Sequence, residues 1–185
     1  RGRFYCLSPC LPENDQTTTY GLTYYSDGNI ASRTENGVTT NYAYDDMGQL
    51  TQENDIMYYY DQRGNLIRRA QGNDITDYEY DYAGRTMVKI EGDLWTEYRY
   101  DRNGNNISRE SYIRTAQNEK INQETVTYTY DLQNRLTEVQ TDGMTAEYTY
   151  GIGNLRLSKT VNGVTTRFIW DRGNIAAETD AGGTV

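Results

Sequence analysis

The chain has 185 residues, a formal net charge of -9 and a mean hydropathy of -0.91. The acidic balance argues against a nucleic-acid backbone as partner, which needs clustered Lys and Arg, and no apolar run approaches the ~18 residues that span a bilayer. Hydrophobic residues make up only 36% of the chain, yet its 19 Tyr argue against disorder, which is poor in aromatics. Tyr and Thr favour strands, and Gly with Asn and Asp favours tight turns, so the expected class is all-β.

The segment 1–19 reads as non-repeat. Its opening, Arg1-Gly2-Arg3-Phe4-Tyr5, is unlike a natural start, and the chain is expected to be a piece of a longer protein. No signal-peptide h-region is visible. Cys6 and Cys10 lie in this segment; they are either incidental or a local disulfide of an oxidising compartment. With no His in the chain, two thiols make half a zinc site, so no metal is expected.

From residue 20 to 185 the sequence repeats itself. A worn first copy is Tyr25-Ser26-Asp27-Gly28-Asn29-Ile30. Full copies carry Tyr42, Tyr44, Asp45 and Gly48, then Tyr58, Tyr60, Asp61 and Gly64. Next come Tyr78, Tyr80, Asp81 and Gly84, followed by Tyr98, Tyr100, Asp101 and Gly104. The fifth has Tyr128, Tyr130, Asp131 and Asn134. Shortened copies are Tyr148-Thr149-Tyr150-Gly151-Ile152-Gly153 and Phe168-Ile169-Trp170-Asp171-Arg172-Gly173. The turn residue thus falls at 28, 48, 64, 84, 104, 134, 153 and 173, a spacing of about 20 that marks a repeat architecture of about eight units.

Each Asp-x-x-Gly matches a type I turn, with Asp at the first position and its carboxylate free to accept backbone N–H groups. The Gly takes the left-handed conformation of a bulge, and Asn134 is the next-best residue for it. Midway between these turns, Asn36-Gly37, Asn162-Gly163 and Asp142-Gly143 signal type I′ hairpins, with looser versions at Gln71-Gly72-Asn73 and Glu91-Gly92-Asp93. The expectation is a curved antiparallel meander with two strands and two turns per unit. Period-2 alternation puts each Tyr-x-Tyr pair, Tyr42 to Tyr150, on one face, and residues such as Glu79, Glu97, Arg99, Glu147 and Arg167 on the other. Aligned copies stack the tyrosines into a ladder that tolerates water at its hydroxyls. The stretch 108–125 breaks the period, as a longer hairpin or a protruding loop.

No catalytic residue is expected. The recurring Asp residues occupy separate turns rather than one cleft, and the chain has no His to serve a nucleophile. Neither calcium-loop spacing nor a phosphate loop fits, and no cofactor is implied. Trp95 falls on the face opposite Tyr98 and Tyr100; if it faces solvent it is the candidate contact for a glycan. Open edge strands predict self-association of the isolated chain.

The repeated Tyr-x-Tyr-Asp-x-x-Gly-Asn/Arg-Leu pattern resembles the YD repeats of the rearrangement-hotspot (Rhs) family, over about residues 20–185. Its relatives include bacterial wall-associated proteins, insecticidal toxin-complex components and animal teneurins. The resemblance implies a strip of β-sheet wound in a spiral, an open segment of a hollow shell. It also implies partners: further repeats of the parent chain and an enclosed C-terminal toxin, in a secreted or cell-surface, cell-wall-associated protein. Older descriptions of such repeats imply carbohydrate binding at cell surfaces. The family's Asp-Pro-x-Gly-Leu core motif does not occur here, so no self-cleaving aspartate is carried over.

Overall fold

The computed structural model describes residues 20–184. Cys6 and Cys10 lie outside the described residues. Among the described residues, apart from one short 3₁₀ turn at Ile152–Asn154, all regular structure is β. The strands are β1 Tyr20–Tyr24, β2 Ile30–Glu35, β3 Val38–Tyr44, β4 Leu50–Glu53, β5 Ile56–Tyr60, β6 Leu66–Gln71, β7 Asp74–Tyr80 and β8 Thr86–Glu91. They continue as β9 Leu94–Tyr100, β10 Asn106–Arg114, β11 Lys120–Tyr130, β12 Leu136–Gln140, β13 Thr145–Tyr150, β14 Arg156–Val161, β15 Val164–Asp171 and β16 Asn174–Asp180. The chain forms two compact units, Arg1–Tyr58 and Tyr59–Val185.

In the first unit β1, β2, β3, β4 and the start of β5 pair antiparallel in chain order. In the second, β6 to β16 do the same. Local hairpins alone therefore build the array, with no crossover, which gives each strand only nearest-neighbour partners.

Two kinds of turn alternate. The Asp-x-x-Gly turns are closed by a bond from the fourth residue to the first, as from the Gly84 amide to the Asp81 carbonyl (3.1 Å), and by a second from the Asp81 amide to the Arg85 carbonyl (2.9 Å). Gly84 has φ 76° and Asn134 φ 60°, the left-handed region that follows a type I turn in a bulged hairpin. A second bulge follows: Tyr80 pairs with Thr86 but Glu79 with Val88, so Met87 is the extra residue. Opposite these turns, Asn36-Gly37 (φ 50° and 83°) and Asn162-Gly163 (φ 47° and 83°) are left-handed at both central residues, as a type I′ turn requires.

Three readings of the sequence need correction. Asp142-Gly143 is not a type I′ turn: neither residue is left-handed, and the loop is closed by the Thr141 amide on the Met144 carbonyl (2.8 Å). In the copy at 150–155, Asn154 and not Gly153 takes the fourth position, since Gly151 replaces the Asp and donates to the Leu155 carbonyl (2.9 Å). Asp171 does not begin a four-residue turn. It ends β15 opposite Asn174, and Arg172-Gly173 (φ 50° and 86°) form a two-residue turn, because this copy is one residue short. Of the two alternatives for 108–125, the longer hairpin is the one observed. β10 and β11 extend until Thr115 and Asn118 make a turn of the Asp-x-x-Gly kind, with Asn118 at φ 67° and Thr115 Oγ1 accepting the Glu119 amide.

Burial follows the alternation. In the second unit Thr76, Thr96, Val126, Ala146 and Phe168 are buried, all on the tyrosine face, while Glu79, Arg99, Glu147 and Arg167 on the other face are exposed. The tyrosines themselves are half-buried. Two buried side chains lie on the opposite face: Tyr112, the most buried of the described residues at 1% exposure and cross-strand from Trp95, and Thr179, cross-strand from Arg167.

Candidate functional site

Two features recur often enough to define a functional surface: the tyrosine face, and the column of Asp turns along one margin of the strands. In three of the motifs the second tyrosine reaches the preceding hairpin. Tyr80 Oη donates to the Leu66 carbonyl, Tyr100 Oη to Thr86 and Tyr150 Oη to Leu136, each at 2.8 Å and each fourteen residues back. Trp170 makes the same bond with its indole N–H to the Arg156 carbonyl at 2.8 Å. The geometry is 2.8 Å four times over, so the rung depends on a donor at a fixed reach rather than on tyrosine as such. Burial raises the Tyr80 and Tyr130 hydroxyl pKa above the ordinary range. The first tyrosines differ: in the second unit Tyr78, Tyr98 and Tyr148 stand cross-strand from Lys89, Arg109 and Lys159, and Tyr128 from Val139. In the first unit Tyr25 packs edge-on against Tyr44 (6.4 Å) and bonds the Tyr42 carbonyl (2.7 Å), while Tyr58 Oη donates to Glu53 (2.9 Å). Tyr60 ends β5 on the same face, half-buried.

The turn column is built from the Asp carboxylates. Asp45 Oδ1 accepts the Met47 and Gln49 amides at 2.9 and 2.8 Å. The same pair of bonds recurs at Asp61, Asp81, Asp101 and Asp131. The second carboxylate oxygen takes the side chain that follows the turn, Asn65 or Asn105 by its amide and Arg85 or Arg135 by its guanidinium. The arginines then reach onward: Arg85 donates to the Asp101 carbonyl (3.3 Å) and covers the Tyr100 ring, and Arg135 donates to Gly151 (3.4 Å) and covers Tyr150. Turn and ladder are thereby one network across neighbouring repeats.

These bonds hold the carboxyls below the ordinary carboxylate pKa. The Asn65 and Asn105 amides lead at Asp61 and Asp101, and the backbone N–H of Arg85 and Arg135 leads at Asp81 and Asp131. Asp180 is depressed in the same way, led by the Thr184 amide. It opens a further turn, Asp180-Ala181-Gly182-Gly183, that the sequence reading passed over although Asp-x-x-Gly stands there in plain form. The carboxylates are consumed by their own turns. Among the described residues no group of three or more acidic or thiol side chains is placed to hold a metal, and no helix is long and apolar enough to cross a membrane.

Trp95 does not stand open to solvent. It is half-buried, stacked on Tyr112 (6.5 Å between centroids, 15° between planes) and covered by the Arg114 guanidinium at 4.2 Å. Tyr112 Oη donates to Glu97 (2.5 Å), and Lys120 bridges Glu97 (3.3 Å) and Glu110 (2.9 Å) while lying over the Tyr112 ring. This cluster fastens the long β10–β11 hairpin to β9. Nothing in the local sequence of Tyr112 signals it, because the contact depends on the register of the inserted residues.

A meander of this kind, with a hydrogen-bonded rung in four of its units and an Asp-capped turn in most, is the wall of a YD-repeat array. The chain belongs to the Teneurin YD-shell family, whose model matches residues 7–117 and so begins inside the segment read as non-repeat. No curated protein matches the chain. Among solved structures, the chain is similar to the Tc holotoxin pore of Photorhabdus luminescens at TM-score 0.66, with 22% identity over 88% of this chain and 10% of that one. It is similar to a chain of a TcdB2–TccC3 crystal structure at TM-score 0.66, with 15% identity over 87% of this chain and 11% of that one. The chain therefore spans about a tenth of the length of these neighbours, and the likeness concerns the fold.

Proposed function

We propose that residues 20–185 form part of the wall of a YD shell that encloses a C-terminal toxin or effector in a secreted or surface-exposed protein, without catalytic activity of its own. The observation that carries this reading is the repeat-to-repeat lock: Tyr80, Tyr100, Tyr150 and Trp170 each bond the hairpin before them, and Arg85 and Arg135 each bond the turn after them. Such bonds fix the relation of successive hairpins without a separate core, which is what a wall one sheet thick needs. The half-buried tyrosine face then curls toward the lumen, since its hydroxyls accept both water and an unfolded chain. The Tc assemblies to which the fold is similar support the reading by analogy. Glycan recognition through Trp95 has less to recommend it, because Arg114 and Tyr112 occupy the ring.

Sequencing the parent gene beyond both ends tests the proposal. Further YD repeats before residue 1, with an Asp-Pro-x-Gly-Leu core and an unrelated tail after residue 185, are expected. A reading frame that stops close to both ends overturns it.

A further inference from the structure

The long hairpin leaves a gap in the strand pairing of the second unit. β11 runs from Lys120 to Tyr130, and on the β10 side it is paired from Lys120 onward. On the β12 side only Thr127 to Tyr130 have partners, because β12 ends at Gln140 and the chain turns away through Thr141–Met144. Among the described residues no strand pairs with 120–126 of β11 on this side, so one backbone edge faces a lane, a strand's width across, that a longer β12 would fill. Lys120 to Glu124 are all exposed. A groove lies in this lane, lined by Arg109, Glu124, Val126, Thr141, Asp142 and neighbouring backbone. Such an interior ledge differs from the array's terminal edges, because the β12–β13 turn closes one end of it.

We infer that the ledge is a strand-addition site for a short extended peptide bearing lysine or arginine. Unpaired strand edges take up extended chains through backbone hydrogen bonds. The charge pattern selects the chemistry. Glu124 and Asp142 line the groove and, among the described residues, are in no ion pair, whereas Lys120 is already held by Glu97 and Glu110. Among the described residues Arg109 is the one cation that lines the groove, against the two carboxylates, so the lane is net acidic, on a chain of net charge -9 that draws cationic segments. A second copy of the chain fits less well. Asn122 is left-handed (φ 51°) within a bulge that kinks the edge, a device that blocks long edge-to-edge pairing, and leaves Gln123 to Val126 as the straight run. Gln123 is anchored by its side-chain amide on Glu110, which steadies this run.

The test is amide hydrogen exchange on the whole chain with an eight-residue peptide of alternating lysine and valine, and with its glutamate counterpart. The lysine peptide is expected to slow exchange at amides within 123–126 by tenfold or more and to leave the β16 edge unchanged. The glutamate peptide is expected to have no effect. The double variant E124Q/D142N, which alters only exposed side chains, is expected to weaken binding of the lysine peptide by about tenfold while the rest of the exchange pattern stays as in the parent. Absence of protection at millimolar peptide overturns the inference. So do equal protection by both peptides, unchanged binding by the double variant, and protection of 120–126 that grows with protein concentration in the absence of peptide.

Discussion

Tyr100→Phe removes one ladder rung and nothing else. The ring stays, half-buried under Arg85, while the bond from its hydroxyl to the Thr86 carbonyl is lost. A neutral hydrogen bond contributes about 0.5–1.5 kcal/mol net, and a carbonyl left without its partner adds to the cost, so a loss of about 1–2 kcal/mol is expected. For a chain of this length that corresponds to a fall in Tm of about 3–6 °C. Tyr98, two residues earlier on the same face, is the control: its hydroxyl makes no hydrogen bond among the described residues, and Tyr98→Phe is expected to change stability by less than about 0.5 kcal/mol. Urea denaturation of both variants, read by tyrosine fluorescence and circular dichroism, compares their midpoints at constant m. Equal losses from the two substitutions, or a loss from Tyr98→Phe alone, would refute the assignment of the rung to the second tyrosine.

Other expectations follow from the same network. Gly104 has φ 90°, so Gly104→Ala is expected to destabilise by about 1–2 kcal/mol, with Gly104→Asn milder, in thermal melts. Tyr112→Ala empties the most buried site among the described residues and leaves the Glu97 carboxylate with Lys120 alone; a loss of about 3–5 kcal/mol by denaturant titration is expected, together with faster exchange in β10 and β11. The pH profile has a definite sign. Because the Asp61, Asp81, Asp101, Asp131 and Asp180 carboxyls titrate below their unfolded value of about 3.9, their contribution is present above that pH and is lost as pH falls through the folded pKa values. Tm is therefore expected to be flat from about pH 5 to 8, where no His titrates, and to drop below about pH 4; a drop centred near pH 6 would contradict this. At the alkaline end, the raised Tyr80, Tyr112 and Tyr130 hydroxyls contribute stability below about pH 10 that is lost as pH rises through their folded values. For Tyr112 burial leads, with the Glu97 carboxylate adding to it. Finally, the β1 and β16 edges are expected to drive self-association, and a concentration-independent monomer mass by light scattering would count against it.

Much of the fold was legible because its information is local. Asp81, Gly84 and the tyrosines before them specify a turn, a bulge and a face within a few residues, and repetition multiplies the signal. What escaped depends on register or on one missing residue. The copy at Asp171 has the right letters but is one short, so the chain closes with a tighter turn at Arg172-Gly173. Thr115-Ala116-Gln117-Asn118 has the right geometry with other letters, Thr for Asp and Asn for Gly. Trp95 looked open because alternation assigns a face but not what another hairpin lays across it, and Tyr112 and Arg114 arrive from a stretch that breaks the repeat. The fourteen-residue rung joins positions that no short motif connects, although the constant spacing of the motifs was the clue to it.

The central claim is that these hairpins are a wall with the tyrosine face turned inward. Cryo-electron microscopy of the full-length parent protein tests it directly. Residues 20–184 are expected to form a stretch of a closed sheet, with Tyr78, Tyr98, Tyr128 and Tyr148 lining an interior volume that holds the C-terminal segment. A map in which those tyrosines face bulk solvent, or in which the sheet stays open with nothing against it, would contradict it.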